Sequence, residues 1–588
     1  MKKIASELLV ERLADWGVDT VFGLPGDGIN GIMEGLRRHA DRVRFVLVHH
    51  EEATAFMACG YAKATGRLGV CLATSGPGGI HLLNGLYDAK LDHAPVLAVT
   101  GMQATKLLGT GFQQEVHLDR LYHDVAAYNA MVHVPTSIPA QVDHAVRTSL
   151  SARTVSHLTF PVDLQEAPAD ADPWEGGLGT GRTPQTAPVY LPPPGLPAEA
   201  DLRRAAEVLN QGAKVVLLAG SGALGAREQV LQVADRLASP IVKTLPGKAV
   251  VPDGHPLVTG GLGLLGTRPS EDAMEEADTL LMVGTSFPYT SYLPESSKVR
   301  TVQVDHDPVR AGNRMATEVP LVGDARQTLQ ALLPLLQPKG DRAFLERAQE
   351  GMAAWRAAMA ALEDPEREPI QPQYLARVLD RLAADDAILT SDSGTIATWA
   401  ARHFDIRGDR QFYLSGNLAT MAPGLPYAIA VQWANPGRQT IAFVGDGGFA
   451  MLMAEFLTAC RLELPVKVVV CNNGLLGQIL WEQLALGFPE YGVRFERHAN
   501  FAPWAQACGG QAIRVETPGD LEAAVREVFA HPGPALLDVL VNPDEPPLPA
   551  KVEYDKAKGF LQAWLRGQPR KATMASTLFR DKLDQLKA

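Results

Sequence analysis

Short apolar runs rich in valine, isoleucine and leucine recur along the chain, with helical patterns between them. They fall at residues 43–48, 70–73 and 95–99, at 214–219, 279–283 and 299–304, and at 387–389, 440–444 and 466–470. Near-continuous apolar strands are buried on both faces, and strands alternating with helices build parallel sheets covered by those helices. The pattern predicts an α/β chain of three doubly wound parallel-sheet domains, with helices expected around residues 51–64 and 80–91. Two joints separate the blocks. Residues 166–201 hold Pro168, Pro173, Pro184, Pro188, Pro192, Pro193, Pro194 and Pro197 among glycines, and Pro365, Pro369 and Pro372 follow a helical pattern in 362–372. Proline withholds a backbone donor and fixes φ, so both stretches read as linkers. Domains are expected at 1–180, 181–345 and 346–548, with a tail over 549–588.

The 588 residues are 46% hydrophobic and 20% charged, the balance of a globular enzyme with a sizeable core. Against 66 acids stand 54 lysines and arginines, a net charge of -12. That charge argues against nucleic acid and anionic lipid as general partners. Cys59, Cys71, Cys460, Cys471 and Cys508 form no Cys-x-x-Cys pair and read as free thiols of a reducing, cytoplasmic compartment. Residues 1–15 pattern as an amphipathic helix, and no run reaches the roughly 18 apolar residues of a membrane span.

In the third block, the run 441–444 enters Gly445-Asp446-Gly447-Gly448, followed by a helical pattern over 449–461. A second strand ends at Cys471-Asn472-Asn473-Gly474. A strand–turn–helix–strand unit brings both strand ends to one edge of a parallel sheet, where α/β proteins bind ligands. Asp446 offers a carboxylate oxygen and Asn473 an amide oxygen, both suited to a hard cation such as Mg²⁺. So few protein charges imply that a diphosphate supplies further anionic ligands. Each turn alone is commonplace. Together, with 24 residues (448 to 471) between them, they resemble the thiamine diphosphate signature of the decarboxylase family.

The resemblance implies a set of roles. Asp446, Asn473 and Leu475 would hold the metal, and Gly394, Gly445, Gly447, Gly448, Leu476 and Gly477 would surround the diphosphate. In His49-His50-Glu51-Glu52, Glu51 matches the glutamate that hydrogen-bonds the thiamine pyrimidine and promotes its imino tautomer, while Glu52 is an ordinary neighbour. Gly76, Pro77 and Gly78 match the family's cofactor-packing turn, and Gln114 lies in its substrate loop, Gly111-Phe112-Gln113-Gln114-Glu115. Thr420, Met421 and Ala422 match the segment whose large apolar residue props thiamine in its bent form. Because the family splits pyrimidine and diphosphate ends between subunits, at least a homodimer and commonly a tetramer is implied.

The middle block carries Gly263-Leu264-Leu265-Gly266, Gly284-Thr285-Ser286-Phe287-Pro288, Asp305 and Asp324. Glycines at strand ends admit a dinucleotide diphosphate and an acid holds a ribose hydroxyl, yet any doubly wound domain has glycine-rich strand ends. What assigns FAD here is similarity, over nearly the whole chain, to the flavin-dependent bacterial pyruvate oxidases that reduce quinone, with acetolactate synthase-type relatives more distant. The implied activity is oxidative decarboxylation of pyruvate or a close 2-oxo acid to acetate and CO₂, the alternative being a carboligase with a structural flavin. Two positions depart from those oxidases. Gln478 and Gln113 stand where they have phenylalanines, which makes the pocket more polar and gives Gln478 a place beside the substrate. The tail carries only Phe579, Leu583 and Leu586 as a stripe among mixed charges, so docking on protein is expected over lying in a bilayer.

Overall fold

A computed structural model of the chain describes residues 2–171, 185–192, 195–547, 549, 551 and 554–587. Three six-stranded sheets are present. The first contains β1 (Thr20–Gly23), β2 (Arg44–Leu47), β3 (Gly69–Ala73), β4 (Val96–Met102), β5 (Ala126–Met131) and β6 (Val155–Pro161). The second contains β7 (Val215–Ala219), β8 (Ile241–Lys243), β9 (Val258–Gly261), β10 (Thr279–Val283), β11 (Arg300–Asp305) and β12 (Val319–Val322). The third contains β13 (Ile388–Ser391), β14 (Gln411–Tyr413), β15 (Thr440–Gly445), β16 (Lys467–Asn472), β17 (Gln511–Val515) and β18 (Ala535–Leu540).

Strand orders are β2-β1-β3-β4-β6-β5, β12-β11-β10-β7-β8-β9 and β14-β13-β15-β16-β18-β17. Pairing is parallel, as where Val96 of β4 faces Val155 of β6 and Thr279 of β10 faces both Val215 and Arg300. Interior strands such as β3, β4, β6, β7 and β10 are buried at every residue, whereas the edge strands β2, β5 and β12 are partly exposed. Helices cover both faces, so only interior strands need be apolar throughout. The orders reverse between β1 and β3, between β7 and β10, and between β13 and β15, and the first and third turn back once more where β6 and β18 lie inside β5 and β17. At such a switch point neighbouring connections leave in opposite directions and open a crevice at the strand ends.

The chain divides into two compact units: Met1–Pro192 with Tyr413–Ala442 and Gly448–Val466, and Pro193–Phe412 with Phe443–Gly447 and Lys467–Ala588. In the first, the helix Glu51–Thr65 is buried from Ala53 to Ala62 and ends at Gly66, whose φ of +70° is the left-handed cap glycine tolerates. It packs closely on the helix Gly424–Ala434, where a Cβ at Gly60 would come within 2.9 Å of the Tyr427 ring. In the second unit, Arg410 is fully buried and binds Asp380 Oδ1 at 2.5 Å and the carbonyls of Asp380, Ala383, Ala384 and Asp405.

Two helices expected as continuous are broken. The pattern over 80–91 divides into helices Pro77–His81 and Leu83–Leu91, and that over 449–461 into helices Asp446–Leu452 and Glu455–Arg461. The second break lets Glu455 turn inward, where it is wholly buried. The described parts of the first joint carry no helix or strand before Glu199 beyond an isolated bridge from Ile4 to Pro168, and Pro372 opens the helix after the second joint. All five cysteines are free, with Cys59, Cys71 and Cys471 buried. Among the described residues no helix is long and apolar enough to cross a membrane.

The tail folds as helices Tyr554–Leu565 and Lys571–Lys587 and packs within the second unit. Met574 is fully buried, Phe579 is exposed, and buried Arg367 binds Asp581 at 2.8 Å and Asp584 at 3.1 Å. Burial, followed by the Asp581 charge, pushes the Glu545 carboxyl well above the ordinary range. Arg367 is thus the cation that allows several acids to gather. Arg367→Ala should weaken tail docking by about 3–5 kcal/mol, the typical cost of stranding one half of a buried pair. Limited proteolysis should then cut the last two helices much faster than in the parent chain.

Candidate active site

The third sheet presents its switch point at the ends of β13 and β15. Gly445 ends β15 and Asp446 opens the next helix, with Gly447 and Gly448 in its first turn. Asp446 Oδ2 accepts the Gly474 N–H at 2.9 Å, tying the two expected motifs together. Burial pushes the Asp446 carboxyl up to about 6, against the lowering effect of neighbouring backbone N–H groups. Asn473 Oδ1 accepts the Leu475 N–H at 3.1 Å, and the Leu475 side chain is buried with Leu480 and Trp481, so only its carbonyl is available to a ligand. Leu476 donates its N–H to Val493 at 2.8 Å.

The glycines around this point leave room. A Cβ on Gly445 or Gly394 would meet nothing within 4 Å, Gly394 has φ of +114°, and a Cβ on Gly477 would press on Thr395 at 3.0 Å. A carboxylate, an amide oxygen and a backbone carbonyl are hard oxygen donors, and a buried, proton-retaining Asp446 is a group that a divalent cation relieves. The donor set and open glycine cradle therefore fit Mg²⁺ carrying a diphosphate.

In the first unit, Glu51 begins its helix behind a turn built by another element. Glu455 Oε1 accepts the N–H groups of His49 and His50 at 2.9 and 3.0 Å, and the Thr458 hydroxyl donates to Glu455 Oε2 at 2.7 Å. Glu455 escaped the sequence reading because it lay in a presumed continuous helix; its only signal was an acid in an otherwise apolar stretch. The His81 ring nitrogen Nδ1 lies 3.0 Å from Glu51 Oε2, and a Cβ at Gly78 would sit 3.4 Å from Glu51 Oε1. The His50 ring stacks on His81 with centroids 4.7 Å apart. His50 Nδ1 accepts the Glu52 N–H at 3.1 Å, which commits that nitrogen and weakens any reading of His50, Glu51 and His81 as metal ligands.

The expected turn and substrate loop meet. Pro77 opens a short helix after Gly76, and a Cβ at Gly76 would lie 2.9 Å from Gln114 Cβ, with Gln114 itself at φ of +60°. Ser75 Oγ is 3.5 Å from Gln114 Oε1. Thr420 Oγ1 accepts a bond from Asn84 Nδ2 at 3.2 Å, and the same amide donates to Glu52 at 2.6 Å, so Glu52 anchors this region. Met421 is half-buried between Ala419 and Ala422, which hold φ of +56° and +80°. In the second unit, Gln478 Nε2 donates to Glu482 at 2.9 Å while its Oε1 is buried and accepts no hydrogen bond.

At the middle switch point Gly284 has φ of +61°, and a Cβ there would strike Gly222 at 2.5 Å. The loop Gly263–Gly266 closes with a Gly266-to-Gly263 bond of 2.8 Å, and Arg402 donates to the carbonyls of Leu264 and Leu265 at 3.2 and 3.4 Å. Thr285 and Ser286 are half-buried, Phe287 packs in the core with Leu262, and Pro288 is exposed. Asp305 accepts the Asp307 N–H at 3.0 Å, and Asp324 caps the following helix through Gln327 N–H at 3.0 Å. Beside the loop lies a cavity of about 370 Å³ lined by Thr244, Leu245, Leu265, Trp355, Met359 and Arg402 among others.

Family models match along the chain: thiamine pyrophosphate enzyme N-terminal TPP binding domain at 4–122, central domain at 202–332 and C-terminal TPP binding domain at 392–539. The chain belongs to the thiamine pyrophosphate enzyme family. A Bacillus subtilis (strain 168) protein described as thiamine pyrophosphate-containing is 40% identical over 564 residues, 96% of each chain. A Lactiplantibacillus plantarum pyruvate oxidase is 33% identical over 94% of this chain and 91% of its own. Acetolactate synthase 1 of Nicotiana tabacum is 33% identical over 92% of this chain and 82% of its own.

The raised Asp446 carboxyl has a pH consequence. In the metal-free protein it keeps its proton up to about 6, so the cost of its buried charge appears as pH rises through that value. A divalent cation held by this carboxylate would compete with the proton below that point and relieve the charge above it. Mg²⁺ affinity should therefore fall by up to about tenfold per pH unit below that value. Calorimetric titration from pH 5 to 8 checks this, and Asp446→Asn should both weaken binding and flatten the pH dependence.

Proposed function

We propose that the protein uses thiamine diphosphate, Mg²⁺ and FAD to decarboxylate pyruvate, or a close 2-oxo acid, oxidatively to acetate and CO₂. Water supplies the added oxygen, and two electrons leave through the flavin to quinone or another acceptor. The single observation that carries this reading is the donor set of Asp446, Asn473 and the Leu475 carbonyl in an open glycine cradle at the third sheet's switch point. The oxidase assignment draws further support from similarity to a pyruvate oxidase over 94% of the chain.

The chemistry supplied by bound thiamine diphosphate is a nucleophilic carbon that takes up the electron pair left as CO₂ departs, and by FAD the acceptance of two electrons. The chain's part is to place and protonate. Glu51 holds a proton at the pyrimidine, with His81 fixing one carboxylate oxygen at 3.0 Å and Gly78 leaving the other approachable. Gly76, Pro77 and Gly78 pack the cofactor, and Met421, presented by its strained neighbours, props the thiamine bent. Gln114 and Gln478 face the substrate, and the unmatched Gln478 Oε1 is an acceptor for a hydroxyl or a water. Gly263–Gly266, Gly284–Pro288, Asp305 and Asp324 form the FAD-binding face of the middle domain, with domain limits at 1–180, 181–345 and 346–548. The working form is a cytoplasmic homodimer at least.

Anaerobic mixing of the cofactor-loaded protein with pyruvate tests the reading. Bleaching of the flavin absorbance at the turnover rate is expected. Acetolactate forming while the flavin stays oxidised would instead assign a carboligase, and a protein that binds no flavin would remove the oxidase. Glu51→Gln should keep assembly intact but lower turnover by about 10²–10⁴-fold, the range of a positioned proton-transfer group. Steady-state rates on the folded variant measure that loss.

A further inference from the structure

The segment after β14 that leads to Met421 is wrapped around a carboxylate from a distant part of the first unit. Asp92 follows the helix Leu83–Leu91. Its Oδ2 accepts the Gly416 N–H at 2.7 Å, and its Oδ1 accepts both the backbone N–H and the side-chain amide of Asn417 at 2.8 Å each. The Asn417 amide also donates to the Leu91 carbonyl at 3.0 Å, so the segment is stitched to the end of that helix at two residues.

Behind the carboxylate sits a buried ammonium. Lys63 Nζ donates to Asp92 Oδ2 at 2.7 Å, to the Leu414 carbonyl at 2.9 Å and to the Tyr427 hydroxyl at 2.7 Å. Tyr427 in turn donates to Asp88, and Cys59 Sγ lies 3.2 Å from the same hydroxyl. Burial pushes Lys63 down, but Asp88 and Asp92 outweigh it and hold the ammonium above its ordinary range. Burial likewise raises Asp92, yet Lys63 and the N–H groups of Gly416 and Asn417 bring it below the usual carboxylate value. A charged bond of this kind is roughly twice as strong as a neutral one.

The segment needs such an anchor. Ala419 and Ala422 both hold positive φ, a conformation that L residues other than glycine adopt only when surrounding structure imposes it. Ties at Leu414, Gly416 and Asn417 fix the entry, and Thr420 is held from both sides, its N–H by Ser415 Oγ at 3.2 Å and its hydroxyl by Asn84 at 3.2 Å.

We propose that Asp92, with Lys63 as its counter-ion, is the positioning residue that imposes the strained backbone of Ala419 and Ala422 and so presents Met421, between them, to thiamine. This rests on the reading of Met421 as the thiamine prop. Asp92 touches no reacting atom; it acts through the segment it folds.

Titration of the full-length protein with thiamine diphosphate, in saturating Mg²⁺ and followed by tryptophan fluorescence, tests it. Asp92→Asn keeps the shape and one acceptor oxygen but loses the charge, and should weaken thiamine diphosphate binding about tenfold. Mg²⁺ binding measured without the cofactor should stay as in the parent. A role in general stability would add to any other lesion, so a double-mutant cycle separates the two. In a Met421→Ala background the Asp92→Asn penalty should shrink to about twofold or less. Equal affinity in parent and Asp92→Asn, or full additivity with Met421→Ala, overturns the proposal. If Asp92→Asn does not fold, Asn417→Ala cuts the same tie from the other side and should weaken binding about threefold; unchanged affinity there overturns the proposal too. A parent protein that binds no thiamine diphosphate would fell the functional reading itself, an outcome distinct from both.

Discussion

Parallel pairing is the constraint on which the rest of this molecule depends. Strands that run the same way end at the same edge, so each connection must cross back over a face, most often as a helix, and the loops after the strands gather on one side. In the third sheet that geometry brings Asp446 and Gly474 within a hydrogen bond, although a helical segment and a strand separate them in sequence. In the first sheet it places the turn after β2 near the loop after β3, which is why Glu51 and His81 can touch. The chemistry sits on turns, but the sheets decide which turns meet.

Most interior strands were legible in the sequence because double burial favours apolar runs. However, β1, β6, β8 and β18 are interior too and were not read, β6 because buried Ser156, His157 and Thr159 interrupt its apolar residues. β10 spans residues 279–283 as the run predicts, and β3, β7 and β16 shift by only a residue or two. Edge strands obey a weaker demand. β5, Ala126–Met131, carries Tyr128 and Asn129, and β17, Gln511–Val515, opens with a glutamine and includes Arg514. Neither shows a pattern that distinguishes it from a loop, so neither was visible. The two turns after β15 and β16 were legible because their residues are close in sequence to the strand ends that position them.

The rest of the site was hidden because its determinants are tertiary. Glu455 supports the Glu51 turn from 405 positions away at His50, and an acid in an apolar stretch says nothing of the distant turn it will hold. Asp92 and Lys63 read as ordinary helix-surface residues, an acid beyond a helix end and a lysine near another's. Only folding reveals that the lysine is enclosed with two acids. Charges placed inside a protein are costly unless matched, so such networks report where the chain requires a particular geometry.

The docking of the last helix on Arg367 has a further consequence for how damage to this chain is felt. The guanidinium and Asp581 are 214 positions apart. A protease that removed the final helix would take away no strand and no site residue. It would, however, leave a buried cation without its two carboxylate partners, beside the helix Pro372–Leu382 that packs within the third domain. Loss at the chain's end is thereby converted into an unmatched charge in its interior, so the tail works as a seal whose breach is registered by the fold itself.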